Sequence, residues 1–538
     1  MGLKSFVQNI WNATPRHSVE HRNRPVKQKR RYDGAKRGRN YADWLTSSKS
    51  ANADIWADIT TLRNRSRDVI RNNDYARGVI GKLVDNVVYL GISFQAQVKQ
   101  VKNPTANDDR INNLIETNFK AWAEQKLWCH TAGQLDFVGI QQLVMRSTLE
   151  SGEVFIRKVK QSFSGSPVPF ALEIIEADQL AEDHNVVYGG NQIIMGIEVN
   201  SWQRPVAYWF YKNHPGDTPL TSPLKGGTWG VGSRDMQRIP ATEIIHLYLS
   251  DRPNQARGLP LLYSTLLRLK NVGDYEESEQ LAAKLAACIM AMITSPYSDL
   301  LKEPEGDNGD LPADERFEPG VMRYLAPGES MEAFDPKRPN ANLVAFIEQQ
   351  LRASGAGVGV SYETVSNDYS KTNYSSSRLS LITARDRYKV LQVWFATNFL
   401  KEVIYGNPES DGWLDMAVLA GVLNFPDYEL RPQRYRATKW QFRGWAWVDP
   451  HKEVKATLDS LAGGMTSLTD FYAEQGKDFE ESVKVIARER EMLKQLGIEV
   501  NFGNAIVSEV EEVSPSGETP DARVDREVKG KTGNSEDN

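Results

Sequence analysis

The stretch PNANLVAFIEQQLRASGAGVGVSYETVSNDYSKTNYSSSR, residues 339–378, decides how the rest of the chain is read. Leu343, Val344, Phe346, Ile347 and Leu351 recur at the one-, three- and four-residue spacings of an amphipathic helix. The small run from Ser354 through Gly355, Gly357 and Gly359 follows it. A hydroxyl-rich segment from Tyr362 to Arg378 comes next, and a second helical pattern runs from Leu379 to Val403. Two helices joined by a mobile polar tip suit a loop that touches something passing by, not a pocket that holds it.

At 538 residues the chain is long enough for several cores, which rarely grow past roughly 250–300 residues each. No run approaches the roughly 18 apolar residues of a membrane helix, and Phe6-Val7 with Ile10-Trp11 is too short and interrupted for a signal peptide. The expectation is a chain made in a cytoplasm, with no membrane partner. Cys129 and Cys288 are the only cysteines, which argues against a disulfide framework and favours buried thiols. His130 beside Cys129 cannot make a four-ligand zinc site alone, so no metal or cofactor is expected.

The net charge of −5 argues against a protein that coats nucleic acid. Its distribution is uneven. Residues 1–40 carry eleven basic side chains against two acidic ones, and residues 508–538 carry nine acidic against four basic. Both read as polar arms flanking an ordered body.

Working outward from the opening stretch, an arginine-rich helix reaches Asp68, and Asn72 and Asn73 can cap a second one with Val79, Ile80, Leu83, Val84 and Val87 as its apolar face. Gly91 ends that helix before the strand-like Ile92–Val98. Another helix leads through Gly152-Glu153 into a strand at 154–159. Further short strands up to Tyr248 make a small half-buried sheet. Their carboxylates Glu173, Glu176 and Asp178 have no partner motif and read as solvent-facing or turn residues. The loop Asp251–Pro260 precedes a long helix at 261–293, about 50 Å at 1.5 Å per residue, whose alanine-rich second half suits an intersubunit seam. An acidic Pro/Gly-rich loop follows at 300–317, then two short strands with a Pro-Gly turn at 318–334. Trp440, Trp445 and Trp447 precede a helix start at Asp449-Pro450, and a last amphipathic helix spans Glu480–Leu496.

The order of these pieces resembles the portal proteins of lambda-like tailed phages. The resemblance covers about residues 41–500. It rests on the arginine-rich helix with its Asn-Asn-Asp-Tyr-Ala cap and Val-Val-x-x-Gly-Ile exit, the Gly152-Glu153 junction and the 251–260 loop. It rests also on the Pro319-Gly320 and Pro327-Gly328-Glu329 pair and the Trp-x-Trp-Val-Asp-Pro-x-Lys-Glu string.

The fold this implies is α+β: a wing, a long-helix stem, a small β-rich clip and a helical crown, assembled as a ring of about twelve copies. The implied segments are a basic arm (1–40), wing (41–257), stem helix (258–295), clip (296–337), second stem helix (338–357), tunnel loop (358–378), wing return (379–439), crown (440–500) and acidic tail (501–538). The implied function is a channel at one capsid vertex for packaging and ejecting double-stranded DNA. Its partners would be further copies, the large terminase subunit, capsid or scaffold proteins, neck proteins and DNA bound without sequence preference. Its place would be the virion, after assembly in the host cytoplasm.

Tyr369, Lys371, Asn373, Tyr374 and Arg378 are the expected DNA contacts, with Gly355, Gly357 and Gly359 as a hinge. Glu318, Arg323, Glu329 and Glu332 are the expected motor-docking residues of the clip. No catalytic residue is expected. The chain lacks a phosphate-cradling Gly-x-x-x-x-Gly-Lys-Ser/Thr loop, and its Gly-rich run follows a helix instead of a strand. The alternatives are another head–tail adaptor ring and a DNA-processing enzyme.

Overall fold

A computed structural model describes residues 35, 39, 46–101, 108–217, 235–288, 291–294, 330–333, 342–371, 373–445, 450–475 and 477–495. Helix α1 (Ala51–Asn72) starts where the Ser50 hydroxyl accepts from the N–H of Ala53 at 3.2 Å. It ends at Asn73, whose extended backbone breaks the helix and whose side chain accepts from Ala76 N at 3.0 Å to start α2 (Asp74–Val87). The cap expected from the asparagine pair thus falls on its second member. Val79, Ile80, Leu83 and Val87 of α2 are buried, as their spacing predicts. Strand β1 (Ser93–Ala96), α3 (Asp109–Glu124) and α4 (Phe137–Ser151) follow, and Gly152 ends α4 in the left-handed conformation at φ 93°.

The single small sheet expected from the sequence is two sheets. One orders as β3 (Ala171–Ile175), β2 (Glu153–Val159) and β9 (Ile244–Tyr248); the other is a meander of β4 (Val187–Tyr188), β5 (Asn191–Ile194), β6 (Ile197–Val199), β7 (Pro205–Tyr211) and β8 (Met236–Pro240). The three-stranded sheet is buried on both faces: Val154, Ile156, Ile245 and Leu247 enter the main helical core, and its other face covers the apolar face of the meander. Phe155, Ile175 and Ile244 of the first meet Tyr208, Phe210 and Ile239 of the second.

The long helix is shorter than its pattern. Residues 261–265 form turns, α5 spans Leu266–Cys288, and Ala291–Thr294 is strand β10. β-Branched Ile293 and Thr294 favour extended backbone, and Pro296 disfavours helical backbone just before it. The partner of β10 is β11 (Ser330–Ala333), paired antiparallel from Ala291↔Ala333 to Thr294↔Ser330. So the chain leaves for residues 295–329 and returns side by side. The hairpin expected at 318–334 keeps only this returning strand within the described residues.

Helix α6 (Leu343–Val358) packs against α5. After it come α7 (Tyr362–Ser366) and α8 (Tyr374–Phe395), which continues through a π-helical turn, Ala396–Leu400, into α9 (Lys401–Tyr405). Then follow α10 (Trp413–Leu419), β12 (Thr438–Gln441), α11 (Pro450–Ala462), α12 (Leu468–Glu474) and α13 (Phe479–Gln495). β12 pairs with β1 in the register Ser93↔Gln441, so strands from early and late in the described chain share a ladder. Trp122 of α3, Trp413 of α10 and Phe137 of α4 meet around Phe119 in the main core, the last two edge-on to it. Cys129 is buried, and burial pushes its thiol up to about 12. His130 accepts N–H bonds from Gln134 and Leu135, which gives its ring a structural task. No described helix is long and apolar enough to cross a membrane.

Candidate functional site

The polar tip is more structured than a loop. Gly355 and Gly357 lie inside α6, not in a flexible run. A Cβ on Gly355 would stand 2.8 Å from the carbonyl oxygen of Val360, and one on Gly357 would stand 2.6 Å from a methyl carbon of Thr265. Their smallness lets neighbouring chain approach, and this corrects the reading of the run as a hinge. Only Gly359 is a point of backbone freedom: it caps α6 at φ 81°.

Beyond Gly359, Ser361 caps the short α7 by accepting from Thr364 N at 3.2 Å. Asn367 ends α7 at φ 58°. Tyr369 and Lys371 are exposed at the turn that follows. Asn373 accepts from Ser376 N at 2.8 Å, while its own N–H donates to Ser376 Oγ at 3.1 Å. This capping box makes Asn373 and Tyr374 the start of α8 and places Arg378 one turn further along it. The five residues expected to share a loop are therefore divided between a turn and a helix. Hydroxyl and amide side chains are good caps for the same reason that they look like good ligands, so the sequence alone does not mark where the helix begins.

The tip is tied down on three sides. Lys82 of α2 donates to the carbonyl of Thr364, and Ser380 of α8 donates to Glu363 at 2.8 Å. Lys371 bonds Glu348 of α6, whose side chain is 10 % exposed against 63 % for the lysine. Glu348 was not singled out in the sequence. Its position four residues before Arg352, with which it pairs at 3.3 Å, is the signal that could have found it.

A second group of charges centres on three fully buried side chains, Arg63, Glu153 and Arg257. Glu153 opens β2 and accepts from Arg257 Nε at 2.8 Å, from Gly258 N at 3.0 Å, and from His246 at 3.0 Å. Arg63 of α1 approaches the same carboxylate at 3.8 Å and donates to Asp178 at 3.1 Å and Glu182 at 2.9 Å. Burial opposes the charge on Glu153, but Arg257 and the hydrogen bonds from His246 and Arg257 outweigh it and hold the carboxyl well below its usual range. Burial pushes His246 down, so its imidazole is neutral and donates through Nε2.

Three stretches that carried the family resemblance converge here: the arginine-rich helix, the Gly152-Glu153 junction and the loop before the long helix. Gly152 and Gly258 make the approach possible, because a Cβ on Gly258 would stand 2.1 Å from the Gly152 carbonyl oxygen. Asp178, expected as a solvent-facing or turn residue, lies in the short 3-10 turn Ala177–Gln179, where it faces Arg63 and, at 2.6 Å, Arg67. Glu176 is exposed, whereas Glu173 is half-buried and lies 3.6 Å from Arg157. Glu176, Asp178 and His214 bring ligand atoms within 4.8 Å of one another, yet both Asp178 oxygens already meet guanidinium groups.

Of the expected clip residues, Glu318, Arg323 and Glu329 lie outside the described residues, as does the loop at 300–317. Glu332 lies on β11 opposite Met292. Trp445 donates to Asn86 at 3.1 Å and stacks near Tyr388, so it serves packing.

Residues 37–392 match the family described as phage portal protein, lambda family. A probable portal protein of Halomonas phage phiHAP-1 is 30% identical over 488 residues, spanning 89% of this chain and 90% of its own. Portal protein B of Escherichia phage lambda is 20% identical over 466 residues, spanning 81% and 85%. A chain in the solved virion of a native gene transfer agent particle overlaps 65% of this chain and 87% of its own. Its TM-score is 0.38 at 12% identity, too loose a superposition to bear on the fold. The match across two thirds of the sequence, and the relative that spans nearly all of it, place the chain in the lambda family of phage portal proteins.

Proposed function

We propose that this portal chain assembles with about eleven further copies into a ring around a channel for double-stranded DNA. The sandwich and its flanking helices (41–257, with the return at 379–439) form the wing, the α5–α6 pair the stem, and 296–337 the clip. Residues 358–378 form the tunnel loop, and 440–500 the crown. The role is structural. The family assignment across residues 37–392 carries this reading. The side-by-side pairing of β10 and β11 supports it, because it brings the two ends of residues 295–329 together beside the stem. We assign the segment between these strands to docking of the terminase motor during packaging and of neck proteins afterwards, with capsid or scaffold proteins holding the wing.

The exposed turn of the tip, Tyr369 to Lys371, is the part that meets DNA. Its contacts go to the sugar-phosphate backbone and carry no sequence preference. Asn373 and Tyr374 shape the start of α8, and Arg378 adds positive charge behind the turn. Gly359 is the pivot about which the tip can move. Light scattering and negative-stain imaging of the purified chain test the ring. About a dozen subunits around an open channel are expected, and a species that stays monomeric or dimeric even when produced with its capsid proteins overturns the reading.

A further inference from the structure

Carboxylates and cations alternate around the tip. Glu348 receives Lys371 on Oε1 and Arg352 on Oε2. Arg352 lies over the ring of Tyr362, 4.9 Å from its centroid, and the Tyr362 hydroxyl donates to Asp368 at 3.1 Å. Asp368 in turn accepts from the N–H and the hydroxyl of Ser370 at 3.0 and 2.6 Å. Two acids thus stand against two bases, and the set sums to zero. Its members differ in freedom. Glu348 is nearly buried on a helix, whereas most of Lys371 is in solvent on a turn.

We propose that Glu348 is a positioning residue for DNA passage: it cancels the charge of Lys371 and holds it down on α6, so that the tip offers the backbone hydroxyls instead of a bare ammonium. This rests on the reading of the tip as the DNA-facing loop. The physical reason is multiplication. In a ring each channel-facing lysine becomes a collar of charge, and each phosphate that a lysine neutralises releases about 0.9 of a counterion, which makes the hold strong and salt-dependent. A conduit through which DNA must slide works against such a grip. A nearly buried carboxylate on a rigid helix supplies the cancelling charge at a fixed place, which a carboxylate on the turn itself could not do. The exposed ammonium stays within reach of a passing phosphate, so cancellation weakens the grip without abolishing it.

Glu348→Gln keeps the side chain's shape and removes its charge. Assembled rings of wild type, Glu348→Gln, Glu348→Asp and the double variant Glu348→Gln/Lys371→Gln are compared for retention of linear duplex DNA across a salt series. Glu348→Gln is expected to retain DNA several-fold more tightly at low salt, with a log–log salt slope steeper by up to about 0.9 for each lysine engaged. Glu348→Asp returns to wild type, and the double variant returns to wild type or below. A merely structural glutamate would loosen the hold when replaced, and a second change at Lys371 would not reverse a tightening. Glu348→Gln rings that hold DNA as the wild type does, a double variant that stays tight, or a Glu348→Gln chain that cannot form rings at all overturns the proposal.

A photocrosslinker on a Ser370→Cys variant in DNA-filled particles separates the two levels. Crosslinking to DNA together with an inert Glu348→Gln removes only the role of Glu348. Absence of crosslinking removes the DNA-facing tip, and the inference with it.

Discussion

The chain contains two meeting places of opposite charge, built to opposite specifications. At Glu153, Arg63 and Arg257 every side chain is removed from solvent, and the partners come from α1, the start of β2 and the loop before α5. At Glu348 one partner is nearly buried and the other mostly exposed, and the two lie 23 residues apart. A buried ion pair exists only where every desolvated charge is answered, and removing one member strands the other, a loss of about 3–5 kcal/mol. A half-exposed pair can exchange its partner for water, salt or a phosphate, and contributes about 1 kcal/mol or less. The first arrangement suits a joint that must not move and the second a contact that must let go.

The largest effect should come from breaking the joint. Arg257→Ala leaves Glu153 buried against a neutral His246 and should lower unfolding stability by about 3–5 kcal/mol in denaturant titrations. A variant that unfolds at the wild-type midpoint would show that water reaches the cluster and would erase the contrast.

Steric closure of the same joint comes next. Gly258→Ala would place a methyl 2.1 Å from the Gly152 carbonyl oxygen. A loss of about 3 kcal/mol or more is expected in the same titration, and a neutral outcome would mean the junction can open without cost.

Acid should then discriminate between the two places. His246 is depressed from its usual 6.5, so the unfolded chain takes up its proton first and stability falls as pH drops below 6.5. Glu153 is depressed from 4.5, so its contribution is complete above 4.5 and fades as pH falls further. Unfolding midpoints should therefore decline in two stages, the first setting in below pH 6.5 and the second below pH 4.5. His246→Gln should remove the first stage, and a decline unchanged in that variant would assign it elsewhere.

The smallest effect belongs to the tip. Lys371→Gln should change unfolding stability by about 1 kcal/mol or less. A loss comparable to that of Arg257→Ala would make the tip a second structural joint and would count against its yielding to DNA.

Local pattern was enough for much of this protein. The apolar face of α2, the helical stretch of α6 (though Val344 and Phe346 of its expected face stay exposed), the asparagine cap between α1 and α2, the order of short strands, and the motifs of the portal family are all written in residues near one another in sequence. Periodicity and capping are local physics, so a sequence displays them directly. It also displayed the composition of the tip, though not its ends. The hydroxyl and amide side chains of Asn373 and Ser376 serve caps and ligands equally well, and only the folded geometry shows which use they have here.

Tertiary structure alone decided the rest. That Gly355 and Gly357 admit neighbouring chain, that Ala291–Thr294 leaves the helical pattern to pair with a strand almost forty residues away, and that β1 finds β12 across most of the chain depend on distant partners. So does the meeting of Arg63, Glu153 and Arg257. Each was visible in the sequence within a separate motif, but charge interaction depends on distance and dielectric, and neither is fixed until the chain has folded and excluded the water between them.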